Sequence, residues 1–155
     1  MKPQSLPLAR HLGAATQACV LACALALPTL AQAQMASGPT LYEQLGGKPA
    51  ITKVVHDMIL NVAADNRINH FFAKTNIPHL QMELVNQVCE GTGGPCKYTG
   101  LSMQQAHKGM NLSTADFNAL VEDLQKSMDS NHVPLGLQNQ LLAILAPMEP
   151  SVVHQ

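Results

Sequence analysis

Between Ser102 and Phe117 the chain carries two helix starts separated by a glycine. Ser102 with Gln105 has the spacing of a capping box, in which a serine hydroxyl and a side chain three residues on satisfy each other's backbone amides. Ser113 with Asp116 repeats the pattern, with Asp in place of the usual Glu or Gln. Gly109 between them is a stop signal. The pattern predicts a short helix of about one and a half turns, carrying His107 near its C-terminal end, followed at once by a longer helix. A histidine there has one ring edge held by the local backbone and the other free to face a cavity. That suits an axial metal ligand, because a ligating His usually donates its second N–H to a nearby acceptor. On spacing alone a partly exposed surface histidine fits more readily, and both readings stand at this point.

The beginning of the chain reads differently from the rest. Met1–Arg10 holds Lys2 and Arg10 and no acid, Leu12–Leu30 is apolar and broken by Pro28, and Ala31-Gln-Ala33 follows. This predicts a secretory signal peptide over residues 1–33, cleaved before Gln34, and export to a bacterial periplasm. The apolar run is too short and interrupted for a stable membrane span. Val20-Leu-Ala22 before Cys23 is an imperfect lipoprotein signal. Residues 34–40 form a polar leader expected to be disordered. Of the four cysteines, Cys19 and Cys23 leave with the signal peptide. Cys89 and Cys96 remain as an even pair in an oxidising compartment and flank a glycine-rich loop short enough to bring them together, so a disulfide is expected. Two cysteines cannot build a four-thiolate zinc site.

The remaining chain shows helical periodicity and no convincing strand alternation. Leu41–Leu45 reads as a brief helical turn ended by Gly46-Gly47. Ile51, Val54, Val55, Met58, Ile59 and Val62 then follow the spacing of one helix face, from Pro49 in its first turn to about Ala64. Ile68, Phe71 and Phe72 make an apolar knot. A second helix starts at Thr75–Pro78 and runs to about Cys89, with Leu80, Leu84, Val85 and Val88 on its apolar face, and Gly91–Pro95 forces a loop. After Ser113, Phe117, Leu120, Val121, Leu124 and Met128 mark the clearest helix. Leu137, Leu141, Ile144 and Leu145 mark the last, stopped at Pro147. These observations predict one all-α domain of about five helices over residues 41–153.

A formal net charge of −1 with 12% charged residues leaves no basic patch for nucleic acid. Three Phe, two Tyr and no Trp mean that Leu, Ile, Val, Ala and Met must build the core. A bound aromatic cofactor would supply bulk that the side chains lack. No C-x-x-C-H motif is present for covalent c-type haem attachment.

Leu41-Tyr-Glu-Gln-Leu-Gly-Gly47, Asp65 with Phe71-Phe72, Thr75-Asn76, Gly93-Gly-Pro95, Tyr98-Thr-Gly100, Ala106-His-Lys-Gly109, Phe117, Val133-Pro134 and the Leu-Ala-Pro147 ending occur in one order. In that order and spacing the chain resembles the group I truncated haemoglobins over nearly all of residues 41–153. The resemblance implies a two-over-two helical sandwich around haem b, with His107 as the proximal iron ligand and Phe72 against the haem face. It implies that Thr75, His79 and Tyr98 meet the propionates, and that the glycine pairs at 46–47 and 93–94 are corners where shortened helices meet. Leu80, Leu84, Met103, Leu112, Phe117, Leu120 and Leu124 would form the apolar sleeve. Many relatives place a Tyr in the helix before the Phe pair and a Gln in the helix after it; the matching positions here are Ile59 and Leu84, with Leu80 also apolar. The expected function is reversible binding of oxygen, nitric oxide or carbon monoxide at a His-ligated iron with an apolar distal pocket. The alternative is a redox enzyme that removes nitric oxide or peroxide with an unknown electron donor.

Overall fold

A computed structural model describes residues 38–155; the signal peptide and most of the leader expected from the sequence lie outside the described residues. Helix α1, Leu41–Gln44, starts with a capping box that the sequence reading did not single out: Thr40 Oγ1 accepts from the Glu43 amide at 3.2 Å, and the Thr40 amide donates to Glu43 Oε2 at 2.8 Å. Gly46 and Gly47 take positive φ, and α2 runs from Gly47 to Ala64, placing Pro49 in its first turn. Its buried face is Ile51, Val54, Val55, Met58 and Val62, the periodic set seen in the sequence except Ile59, which is only partly buried.

The Phe71-Phe72 knot is a short 3-10 helix, Asn69–Phe72. Helix α3, Ile77–Gly91, is capped by Asn76, whose side chain accepts from the His79 amide. It runs past Cys89, where the sequence suggested its end, and includes Gly91. Thr92 carries the extra turn: its amide and its hydroxyl both donate to the Val88 carbonyl, at 3.0 and 2.7 Å. Helix α4 is Met103–His107, and α5 is Thr114–Ser130. Helix α6, Leu135–Leu145, is continued across Pro147 and Pro150 by a 3-10 segment, Ala146–Ser151. Pro147 therefore changes the helix type where the sequence suggested a stop, because the tighter segment tolerates the missing amides. The described residues thus hold six α-helices and two 3-10 segments, and no strand.

The architecture is two helix pairs stacked on each other. Helix α2 packs against both α3 and α5, and α5 packs against α6. Ile51, Val55, Val85, Val88, Met128 and Leu141 meet in the centre, and Met128 is fully buried. Each such side chain contributes about 1.5–3 kcal/mol of transfer free energy. No described helix is long and apolar enough to cross a membrane.

Two local ties hold the corners. Cys89 and Cys96 form a disulfide with Cα atoms 5.7 Å apart, joining the end of α3 to the loop before Tyr98. The bridge and the Tyr42 ring crowd Gly94 so closely that a Cβ there would lie 2.5 Å from Tyr42 Cδ2 and 2.7 Å from Cys89 Sγ. After α2, Arg67 donates to both carboxylate oxygens of Asp65, the shortest at 2.7 Å, and pairs with Glu122 of α5 at 2.8 Å.

Replacing both Cys89 and Cys96 by Ser is expected to cost about 2–3 kcal/mol in a reversible unfolding experiment, the chain-entropy value for so small a loop. The Arg67 bonds hold Asp65 down to about 2 from its ordinary value near 3.8. A depressed carboxyl contributes stability above the ordinary value and loses it as pH falls toward about 2. Arg67→Ala is expected to return the Asp65 titration, followed by NMR, toward 3.8.

Candidate functional site

His107 is the last residue of α4, a helix of five residues that cannot be stable alone. Its start is held by the expected capping box: the Gln105 amide donates to Ser102 Oγ at 3.3 Å, and the Ser102 amide donates to Gln105 Oε1 at 3.1 Å. Its end is released by Gly109, whose φ of 79° suits glycine. Within the helix, His107 Nδ1 lies 2.7 Å from the Met103 carbonyl oxygen. A carbonyl can only accept, so Nδ1 carries a proton, and Nε2 is the ring nitrogen left to act as a ligand.

His107 lies on the wall of a cavity of about 440 Å³, within the range of small-molecule and cofactor sites. Met103 and Leu112 line it beside the histidine, and Phe117 and Leu120 reach it from α5. Phe72, with Phe71 next to it, covers another side. Ile59 of α2 and Leu80 and Leu84 of α3 complete an apolar wall that offers no hydrogen-bond donor. Thr75 and Tyr98 also line the cavity and bring hydroxyls to it. Of the residues singled out from the sequence, two stand elsewhere. His79 is exposed and outside the lining, and its backbone amide caps the start of α3 through Asn76. Leu124 lies in the central core, one turn along α5 from Leu120 and beyond the reach of the cavity.

Tyr98 is placed from α3. The Glu90 carboxylate accepts from the Tyr98 amide at 2.9 Å and from Lys97 Nζ at 3.0 Å, and these two bonds hold it below the usual carboxylate range. The Tyr98 hydroxyl donates to the Leu101 carbonyl at 2.6 Å. Burial, with the nearby Glu83 charge as a smaller cause, pushes that phenol up from its ordinary value. Asp116, another lining residue, accepts from the Ser113 hydroxyl at 2.7 Å and from its amide at 2.9 Å, and these bonds lower its pKa.

Several lining residues carry no sequence signal for this role. Glu83 lines the cavity with Oε2 buried and unpartnered, and in the sequence it is one polar residue between two apolar ones. Gln87 lines it too, but its Nε2 is directed at the sulfurs of Met148, at 3.4 Å, and Met103, at 3.6 Å. Val152 reaches it from beyond the 3-10 segment, where no periodicity could point to it. Among the described residues no three His, Cys, Asp or Glu side chains gather as a metal cluster. The chemistry on offer is one free imidazole nitrogen facing a large apolar space, with polar groups from Thr75, Tyr98 and Glu83 on its wall.

Comparison with known proteins agrees with this arrangement. A family model described as bacterial-like globin matches residues 40–154. A group 1 truncated hemoglobin of Tetrahymena thermophila is 35% identical over 108 residues, covering 70% of this chain and 86% of that protein. Another from Mycolicibacterium paratuberculosis is 29% identical over 123 residues, covering 79% and 90%. Among solved structures, the truncated hemoglobin of Tetrahymena pyriformis in its Fe(III) form aligns with a TM-score of 0.73 at 31% identity, over 76% of this chain and 100% of that one. The 2/2 hemoglobin of a Synechococcus species aligns with a TM-score of 0.70 at 26% identity, over 74% and 98%. With the match spanning the whole helical region and the helices stacked two over two, the chain belongs to the bacterial-like globins, among the group 1 truncated haemoglobins.

Proposed function

We propose that this globin holds haem b with His107 as the proximal iron ligand and binds a diatomic gas reversibly on an apolar distal side. The observation that carries the reading is the single oriented imidazole facing a cavity of about 440 Å³. The residues fit the group. A flat apolar macrocycle suits walls made by Phe72, Leu112, Phe117 and Leu120, and its acidic edge suits the Thr75 hydroxyl. When bound, a haem iron with one histidine supplies an open position for a gas.

The chain's own residues set what that position favours. His107 Nδ1 donates to Met103, which fixes the ring plane and makes Nε2 the better donor of electrons. Ile59, Leu80 and Leu84 exclude water and offer no hydrogen bond. Gln87, the nearest amide on that helix, has its Nε2 turned to two sulfurs. Oxygen gains most from a donor because it takes up partial negative charge, and a charge-assisted bond contributes about 1.5–3 kcal/mol. Oxygen should therefore leave quickly, and carbon monoxide should be strongly preferred. The redox alternative, removal of nitric oxide or peroxide, calls for a distal acid or base, which these three side chains do not provide.

We further propose that residues 1–33 direct export and are removed. The Cys89–Cys96 disulfide supports an oxidising compartment. Mass spectrometry of protein recovered from a periplasmic fraction should give a chain starting at Gln34.

His107→Ala should lose haem or release it readily to apomyoglobin; a variant with the parent absorption spectrum and haem affinity would refute the ligand assignment. Ile59→Tyr should slow oxygen release in stopped-flow by about ten- to hundredfold, the equivalent of one charge-assisted bond. Slow release in the parent protein, unchanged by the tyrosine, would show that the distal wall already donates.

A further inference from the structure

The five-residue α4 is fixed at its start by a capping box, but its end has no such device, since Lys108 has left the helical conformation at ψ 125°. One local bond closes that end, the Met110 amide donating to the His107 carbonyl at 3.1 Å, and the rest of what holds it comes from the far side of the sequence. The amides of Gly109 and Asn111 both donate to the main-chain oxygen of Gln155, at 3.1 and 3.2 Å. The His154 amide returns a bond to the Leu112 carbonyl at 2.9 Å. The residues that make this pairing are not in ordinary loop geometry: Gly109, Asn111 and His154 all have positive φ, at 79°, 49° and 56°. A β-carbon-bearing residue adopts that conformation at a cost, so something must hold Asn111 and His154 in it. Gln155 is itself tied back, its Nε2 donating to the carbonyls of Pro150, at 3.1 Å, and Val153, at 3.0 Å.

The same segment touches the cavity from behind. Val152 is buried and lines it, and Met148 meets the Gln87 amide, which also contacts Met103, the residue whose carbonyl orients His107. Residues 148–155 therefore brace α4 at two points. One is the loop immediately after His107, and the other is the start of the turn that holds its ring.

We infer that residues 152–155 are a proximal clasp: the Gln155 main-chain oxygen and the His154 amide position His107 through the loop 109–112, and so set the strength and tilt of its bond to the iron. The inference rests on the reading of His107 as the iron ligand. Gln155 and His154 are positioning residues, acting through the backbone without touching haem or gas.

The test compares the haem-loaded parent protein with a chain ended after His154 and with Gln155→Ala. Ending the chain removes the acceptor for Gly109 and Asn111, whereas Gln155→Ala keeps it. The readout is the iron–histidine stretching band in resonance Raman spectra of the ferrous unliganded protein, together with the rate of haem loss. The shortened chain should give a shifted, broadened band and lose haem about tenfold faster, the scale of one to two backbone hydrogen bonds. Gln155→Ala keeps the main-chain acceptor but loses the side-chain bonds to Pro150 and Val153, so its band should fall between those of the parent and the shortened chain. A shortened chain with parent helicity and an unchanged band overturns the clasp. If the shortened chain does not fold, amide exchange in the intact loaded protein decides. Slow exchange at Gly109 and Asn111 supports the clasp, and exchange as fast as at the amides of exposed loops overturns it. An unchanged spectrum in His107→Ala would instead refute the ligand assignment beneath it, and the two failures are thereby distinguished.

Discussion

The bond from His107 Nδ1 to the Met103 carbonyl is made inside a helix of five residues, and the rest of the site depends on keeping that turn intact. A free segment of this length gains too few hydrogen bonds to offset the order it imposes. Its stability has to be imported. Ser102 and Gln105 supply it at one end and the pairing with Gln155 at the other.

The cavity itself is the consequence of a core that is full on one side and open on the other. Helix α2 turns Ile51, Val54 and Val55 to α3, α5 and α6, where Met128 and Leu141 complete the packing. Its next turns bring Met58, Ile59 and Val62 to the edge of the cavity. One helix thus serves as core and as wall, and α5 divides in the same way, Leu124 to the core and Phe117 and Leu120 to the wall. A chain with so few aromatic residues leaves this space to a large flat group.

Helix periodicity made α2, α3, α5 and α6 legible in the sequence, and the paired capping boxes made α4 legible in spite of its length. These are local signals, written within a few residues. What local signals could not give was the fate of segments governed by distant partners. Gly91 reads as a breaker, yet it is helical because Thr92 carries the hydrogen bonds of one more turn. Pro147 reads as a stop, yet the chain tightens and continues. At the site, Phe72, Leu80, Leu84 and Tyr98 could be placed on the cavity through the family pattern. Glu83 and Val152 could not, because an isolated polar residue on a helix and an apolar one after a proline segment have many ordinary explanations. His79 lies at the start of α3, exposed and outside the cavity lining.

The cavity wall is drawn from almost the whole length of the globin region, with Met58 near one end and Val152 near the other. Contacts between such distant segments form only after the loops between them have closed, at a cost in chain entropy that local helices do not bear. The helices can therefore form early while the pocket is finished late. During biosynthesis the nascent chain would show its separate helices before it had either a packed core or a closed place for a cofactor, so cofactor capture belongs to a late stage of maturation.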